Sequence, residues 1–241
     1  MDKLVEGFSS KDREKIVLHL TKLFLHLTPQ KFVIVGGLAI RYHLKNAGID
    51  YPKRPFNDID IVVENIDVVH PDVIQSFLVY HFHQKNDSFF FAFVDEATKT
   101  KVDIFDDQQF PSHTIEVPFG SETVYVISKE SQFAKTVYDI QRISEERKVD
   151  PKQFSDTELL SRIVDMNVAD ELWQRIRDPK HPRSILDAIQ RANMIRQQHP
   201  EWIQKSPFRK SEPYHCEECI ESDTFPLDSM ERIYNLLGYV E

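Results

Sequence analysis

Glycine is scarce in this sequence. Only six of the 241 residues are glycine, which is about 2.5% where an average protein has about 7%. Because glycine lets a backbone adopt a positive φ or approach a ligand closely, each one marks a candidate turn or binding position. Two of the six, Gly36 and Gly37, are adjacent, and this pair is the first feature that calls for an explanation.

Cysteine and long apolar runs are also nearly absent. The only two cysteines, Cys216 and Cys219, are too few for a disulfide scaffold, which is typical of a reducing compartment. No run reaches the roughly 18 apolar residues of a membrane span, and the opening MDKLVEGFSSKDREK lacks the apolar stretch of a signal peptide. These absences predict a cytoplasmic protein with no membrane partner.

The residues that are present predict an α/β half followed by a helical half. With 41% hydrophobic residues, including 17 Phe, the chain has enough apolar side chains for a core. Short strand patterns dominate as far as about residue 127, and helical periodicity dominates after Ser128. We therefore expect an α/β (α+β) fold, with a mixed β-sheet and flanking helices in domain 1–127 and a helical domain with a Cys-containing tail in 128–241.

The first half contains the elements that matter most for chemistry. A buried strand, Phe32–Val35, ends at the glycine pair, and a helix follows from Leu38. A second strand begins at Asp58, and a third covers Lys101 to Phe105. Between them, Pro71 is well placed in the first turn of a helix running to about Tyr80.

Three aspartates on these strands predict a metal site. Asp58 and Asp60 are two residues apart on one strand, so both carboxylates point to the same face of the sheet. Asp103 is flanked by apolar residues, and a carboxylate in that setting is costly unless it is paired. Three converging carboxylates offer the hard oxygen ligands that Mg²⁺ prefers beside phosphates.

The glycine pair supplies the complementary half of a phosphate site. Backbone amides at the mouth of a helix can approach a triphosphate, aided by the positive end of the helix dipole. Two Mg²⁺ ions roughly 3.5–4 Å apart would then activate an attacking hydroxyl and neutralise the leaving pyrophosphate. In this hypothesis Asp58 and Asp60 bridge both ions, and Asp103 binds the ion on the nucleophile side and accepts the hydroxyl proton.

The segments VIVGGLAIRYH, FNDIDIVV and KVDIF occur in an order that resembles the nucleotidyltransferase superfamily of the DNA polymerase β type. The Gly-Gly-x-Ala start is most similar to the AbiEii-type toxins and to the aminoglycoside and lincosamide nucleotidyltransferases. The resemblance implies a nucleotidyltransferase fold, an NTP substrate and two Mg²⁺ ions. It assigns Gly36 and Gly37 to the phosphate-binding turn and Asp58, Asp60 and Asp103 to the metals. It also makes Arg54 and Lys135 candidate nucleotide-binding residues.

The resemblance leaves the acceptor open. Its toxin branch suggests an RNA 3′ end, such as tRNA, or a protein side chain, together with a cognate antitoxin as partner, and its antibiotic branch suggests a small molecule. The net charge of −9 disfavours a broad RNA surface, so RNA would need a local basic patch in the helical half. The candidates for this patch are Arg142, Arg147, Lys148, Arg175, Arg177, Lys180 and Arg183.

Two alternatives accompany this interpretation. The first is a catalytically silent module that binds a nucleotide or a partner, such as a toxin–antitoxin component. The second concerns the tail, where His215, Cys216 and Cys219 offer three zinc ligands but no second Cys pair follows. Two reduced thiols are therefore favoured there over a structural zinc.

Overall fold

The structure is a computed structural model of the chain. It describes residues 2–52, 54, 56, 58–64, 68–70, 72–85, 88–95, 97–98, 100–106 and 113–204. The proposed zinc ligands of the tail, at 215–219, lie outside the described residues.

One mixed sheet contains all seven strands of the described part of the chain. In chain order they are β1 (Phe32–Val35), β2 (Asp58–Val63), β3 (Leu78–Lys85), β4 (Ser88–Val94), β5 (Lys101–Asp106), β6 (Thr114–Phe119) and β7 (Glu122–Ile127). Their order in the sheet is β3-β4-β5-β2-β1-β7-β6. The β1–β7 and β2–β5 pairs are parallel and the others antiparallel. The strands that carry the glycine turn and the three aspartates are therefore neighbours at the centre of the sheet.

Eight α-helices of the described part of the chain flank the sheet or follow it. They are α1 (Ser10–Leu23), α2 (Gly36–Asn46), α3 (Val73–Ser76), α4 (Lys129–Gln141), α5 (Ile143–Glu146), α6 (Pro151–Leu160), α7 (Met166–Ile176) and α8 (Ile185–Gln198). The predicted fold class is confirmed, since a mixed sheet with flanking helices precedes a helical segment. The division at residue 127 into two domains stays a prediction. No helix within the described ranges is long and apolar enough to cross a membrane.

Two hydrophobic clusters hold these elements together. The larger one packs α1 against the sheet, with Leu20 among its fully buried side chains. The second joins Ile40 and Leu44 of α2 to α4, α7 and α8, around the buried Trp173. Helix α2 is also fixed to the end of β7, where His43 Nε2 donates to the Ile127 carbonyl at 2.7 Å. Helix α2 therefore packs on both the sheet and the helices that follow it.

The helix predicted from Pro71 to Tyr80 is wrong. Helix α3 covers only Val73–Ser76, and the chain enters β3 at Leu78. The residues from Leu78 to Lys85 pair with β4 in antiparallel register, so their backbone groups are satisfied by the sheet instead of by a helix. Long-range pairing has overridden a local helix-start signal.

Candidate active site

A cleft of about 250 Å³ lies where β1 and β2 meet helices α4 and α6. Six of the seven site residues predicted from the sequence line it: Gly36, Gly37, Arg54, Asp58, Asp60 and Lys135. The seventh, Asp103, is not among the described residues that line the cleft. The strands and the helix start thus bring the predicted residues to one place.

The register of the central strands places the aspartates side by side. Asp60 lies opposite Val35, the last residue before the glycine turn, and is paired with Asp103 on the parallel strand β5. Although its side chain is partly accessible, desolvation by the surrounding protein and the charges of Asp58 and Asp103 raise the pKa of Asp60 to about 7. Ionisation of Asp60 is therefore disfavoured both by burial and by the negative charges beside it.

Asp103 differs from the other two in its partners. Its side chain is 6% exposed and forms an ion pair with Lys101 from the same strand. Burial raises the pKa of Asp103 while the charge of Lys101 opposes that shift. The second carboxylate oxygen, Oδ1, is buried and has no hydrogen-bond partner among the described residues. An unsatisfied buried oxygen of this kind calls for a partner that the described residues do not provide.

The glycine turn and Asp60 are in direct contact. Gly36 has φ +64°, and a Cβ at this position would lie 2.9 Å from Asp60 Cγ and overlap its carboxylate. Its amide donates to Gln132 Oε1 of α4 at 2.8 Å. At Gly37, by contrast, a Cβ would meet no atom within 4 Å. The first glycine is thus required by its backbone and its neighbour, and the second leaves open space at the start of α2.

These acids fit Mg²⁺ by their chemistry. Asp58 and Asp60 offer oxygen donors to the cleft, and the unpaired Asp103 Oδ1 is a third donor of the same type. Within the described ranges, however, no group of three or more His, Cys, Asp or Glu side chains is arranged to hold a metal ion. Mg²⁺ is commonly held by one or two carboxylates together with substrate phosphates. The pair Asp58 and Asp60 therefore fits a magnesium ion that arrives with a nucleotide.

A stacked group of cations forms the facing wall. The Arg41 and Arg54 guanidinium groups lie 4.9 and 5.1 Å from the centre of the Tyr51 ring. Arg54 pairs with Asp156 of α6 at 3.1 Å, and the Tyr51 hydroxyl donates to the same carboxylate at 3.0 Å. Burial raises the pKa of Asp156, while the charge of Arg54 opposes that shift. The predicted Arg54 is therefore held in the cleft by a residue of the helical half.

Helix α4 contributes a polar stripe that the sequence analysis did not identify. Lys135 lines the cleft and forms an ion pair with Asp139 at 3.1 Å. Gln132, Thr136 and Asp139 line it as well. The positions 132, 135, 136 and 139 follow the spacing of one helix face, so this polar periodicity was the signal available in the sequence.

The other predicted features lie away from the cleft lining. In the proposed basic patch, Arg142 pairs with Glu146 at 2.8 Å and Lys180 pairs with Glu145 at 3.1 Å, so acidic neighbours offset part of its charge. An RNA acceptor stays a prediction.

No family model matches the chain, and no curated protein matches it significantly. Several solved structures are similar to it, among them the antibiotic-resistance factor ANT(2'')-Ia, an aminoglycoside nucleotidyltransferase (12% identity, 79% of this chain and 98% of that one, TM-score 0.45). Others are an antigenic nucleotidyltransferase-like protein from Paracoccidioides brasiliensis (15%, 83% and 96%, 0.40) and JHP933 from Helicobacter pylori (11%, 80% and 95%, 0.39). At these TM-scores the similarities assign no residue role or substrate to this chain.

Proposed function

We propose that the chain is a Mg²⁺-dependent nucleotidyltransferase that moves a nucleoside monophosphate from an NTP to a hydroxyl acceptor. One observation carries the proposal: Asp58 and Asp60 line a cleft in contact with a glycine turn at the start of a helix, where Gly36 touches the Asp60 carboxylate. This arrangement puts metal-binding oxygens next to backbone amides suited to phosphates.

The acidic side of the cleft would hold the metal. Asp58 and Asp60 are the ligands that face the cleft, and the unpaired oxygen of Asp103 is a third donor behind them. When bound, Mg²⁺ supplies the positive charge that offsets the triphosphate and polarises its phosphorus–oxygen bonds. The pKa of Asp60 is raised by burial and by the charges of Asp58 and Asp103, and such a cation would offset both effects.

The opposite side of the cleft would bind and orient the nucleotide. The open space at Gly37 lets a phosphate approach the backbone at the positive end of α2. Arg41, Arg54, Lys135 and Lys152 also line the cleft, and each can donate to phosphate oxygens. Because Arg54 is held by Asp156 and Lys135 by Asp139, these two cations are already positioned by the fold before a nucleotide enters.

The test is transfer from four radiolabelled NTPs to total RNA, to lysate protein and to a small-molecule pool that includes polyols. Wild type and Asp58→Asn are compared with and without Mg²⁺. We expect label to appear in one pool only with wild type and Mg²⁺. An absence of transfer from every NTP to every pool contradicts the proposal.

Calorimetry with each NTP and Mg²⁺ separates transfer from silent binding. Binding without turnover would replace the enzyme with a nucleotide-binding module. An absence of binding would leave a protein-binding role, such as complex formation with an antitoxin. A wild type that both binds and transfers supports the enzyme.

A further inference from the structure

We infer that Gln132 is a positioning residue of the active site, which holds the glycine turn against Asp60 from the opposite wall of the cleft. The inference rests on the proposed function and adds a residue to it. Gln132 belongs to α4, 96 positions from Gly36 along the chain, and neither the sequence motifs nor the resemblance pointed to it.

The backbone amide of Gly36 is bound by a side chain from another helix. Helix α2 begins at Gly36, and no side chain caps its N-terminus from the preceding residue, Val35. The Gly36 amide is one of the groups that a helix start leaves without an intrahelical partner. Gln132 Oε1 accepts it at 2.8 Å. A glutamine from a different helix therefore satisfies an amide at the start of α2, as a capping side chain does in other helices.

The Gln132 side chain is itself fixed by burial and by contact with Thr136. It is only 3% exposed, and its amide nitrogen is 3.5 Å from Thr136 Oγ1. The Thr136 hydroxyl in turn donates to the backbone carbonyl of Gln132 at 2.7 Å. A buried side chain with both ends engaged has few alternative rotamers, so it fixes the position of the Gly36 amide.

Gly36 in turn limits the space around the Asp60 carboxylate. The Gly36 Cα abuts the Asp60 carboxylate so closely that even a methyl group would overlap it. A shift of the turn therefore changes the space left for the Asp60 side chain. The positions of metal ligands and reacting groups strongly affect the rate. A misplacement of about 1 Å costs about 100-fold in rate.

The chain offers a matched control on the same helix. Gln141 is also a buried glutamine of α4, with 1% exposure, and its amide donates to the Ala188 carbonyl at 3.0 Å. It is not among the described residues that line the cleft. Gln132→Met and Gln141→Met each remove the two side-chain hydrogen bonds of a buried glutamine, but only the first touches the glycine turn.

The first measurement does not depend on activity. Val35–Gly36 is the only Val-Gly pair in the sequence, so [¹³C′]valine with [¹⁵N]glycine labelling isolates the Gly36 amide by NMR. We expect its hydrogen exchange to accelerate about tenfold in Gln132→Met, since a hydrogen bond is lost, and to stay at the wild-type rate in Gln141→Met. Equal Gly36 exchange rates in the two variants overturn the inference.

The second measurement is transfer by the full chain, below the melting temperature of every variant. We expect Gln132→Met to lose about 100-fold in kcat/KM, and Gln141→Met to stay within about threefold of wild type at a similar loss of melting temperature. Equal activities of the two variants overturn the positioning role even if the exchange rates differ. A wild type that transfers nothing overturns the proposed function, and the hold on the turn is then decided by the exchange rates.

Discussion

Two aspartates, the partly accessible Asp60 on β2 and the buried Asp95 directly after β4, have pKa values shifted in opposite directions. Burial would raise the pKa of Asp95, but hydrogen bonds from Lys22 and from the Thr98 amide, with the charges of His19 and Lys22, bring it below its usual range. Burial and the charges of its neighbours Asp58 and Asp103 together raise the pKa of Asp60 to about 7. One carboxylate is surrounded by donors and the other by acids.

In our proposal this difference separates a structural carboxylate, Asp95, from a functional one, Asp60. Asp95 fastens the end of β4 to α1, and its partners are all supplied by the chain. The charges of Lys101 and Lys152 only partly oppose the rise in the pKa of Asp60, which lines the cleft. In the proposed function a bound cation offsets the cost of ionising Asp60, whereas a carboxylate satisfied by the chain contributes to stability.

The strongest test of this difference is Asp60→Asn. We expect it to reduce transfer by about 1,000-fold or more, as the loss of groups that stabilise transition-state charge does. Because the folded state disfavours the ionised form of Asp60, removing the charge should also raise the melting temperature of metal-free protein at pH 8. Transfer assays and thermal unfolding in EDTA measure the two effects. A variant that unfolds more easily than wild type and keeps its activity would mean that Asp60 is structural.

The adjacent glycines provide the next test. Gly36→Ala should lower the free energy of unfolding by about 3 kcal/mol, because it combines a positive φ with an overlap against Asp60. Gly37→Ala has open space and should keep the stability of wild type or exceed it by about 0.5 kcal/mol, while its methyl group weakens NTP binding. Urea unfolding and calorimetry measure these changes. Equal stabilities of the two variants would contradict the contact between Gly36 and Asp60.

Asp95→Asn is expected to show the opposite pattern from Asp60→Asn. It removes the partner of Lys22 and weakens the bonds to Thr98, so the free energy of unfolding should fall by about 2 kcal/mol. Activity per folded molecule should not change, since Asp95 is not among the described residues lining the cleft. Urea unfolding, with the activity measured on the folded fraction, checks both expectations. A loss of kcat/KM without a loss of stability would erase the distinction between the two aspartates.

The smallest expected effect is the pH dependence of the Asp95 region. Burial lowers the pKa of His19 below its ordinary value of 6.5. The unfolded chain therefore binds this proton more readily, so stability falls as the pH drops below about 6.5. We expect His19 to account for about 1 kcal/mol between pH 7.5 and 5.5, measured by urea unfolding. The loss should be smaller in His19→Gln and should persist in His70→Gln, whose side chain is 63% exposed.

Much of the site could be predicted because it follows from local rules. The alternation of side chains along a strand places Asp58 and Asp60 on one face, and glycines between a strand and a helix mark a turn. Asp60 and Asp103 lie next to each other because β2 pairs with β5 in parallel. The same local reasoning produced the wrong helix after Pro71, since nothing near β3 reveals that β4 will pair with it.

The rest of the site depends on contacts between distant parts of the chain. Gln132 reaches Gly36 across 96 positions and Arg54 reaches Asp156 across 102. Such contacts are set by how α4 and α6 dock on the sheet, and no pattern within a window of sequence encodes that docking. The polar spacing on α4 is typical of a helix face that is not packed in the core. It does not show which part of the molecule that face lies against.

The contact between Gly36 and Asp60 also bears on how the protein can change over evolutionary time. Position 36 is restricted twice, by the nearby carboxylate and by its own φ of +64°. Replacing Asp60 with a smaller residue would relax the first restriction, although its Cβ would still lie 3.1 Å from a Cβ at position 36, and would leave the second. A descendant that lost its acid would therefore still keep its glycine. Among homologous chains, a glycine at this turn reports on the fold, and only the aspartate reports on the chemistry.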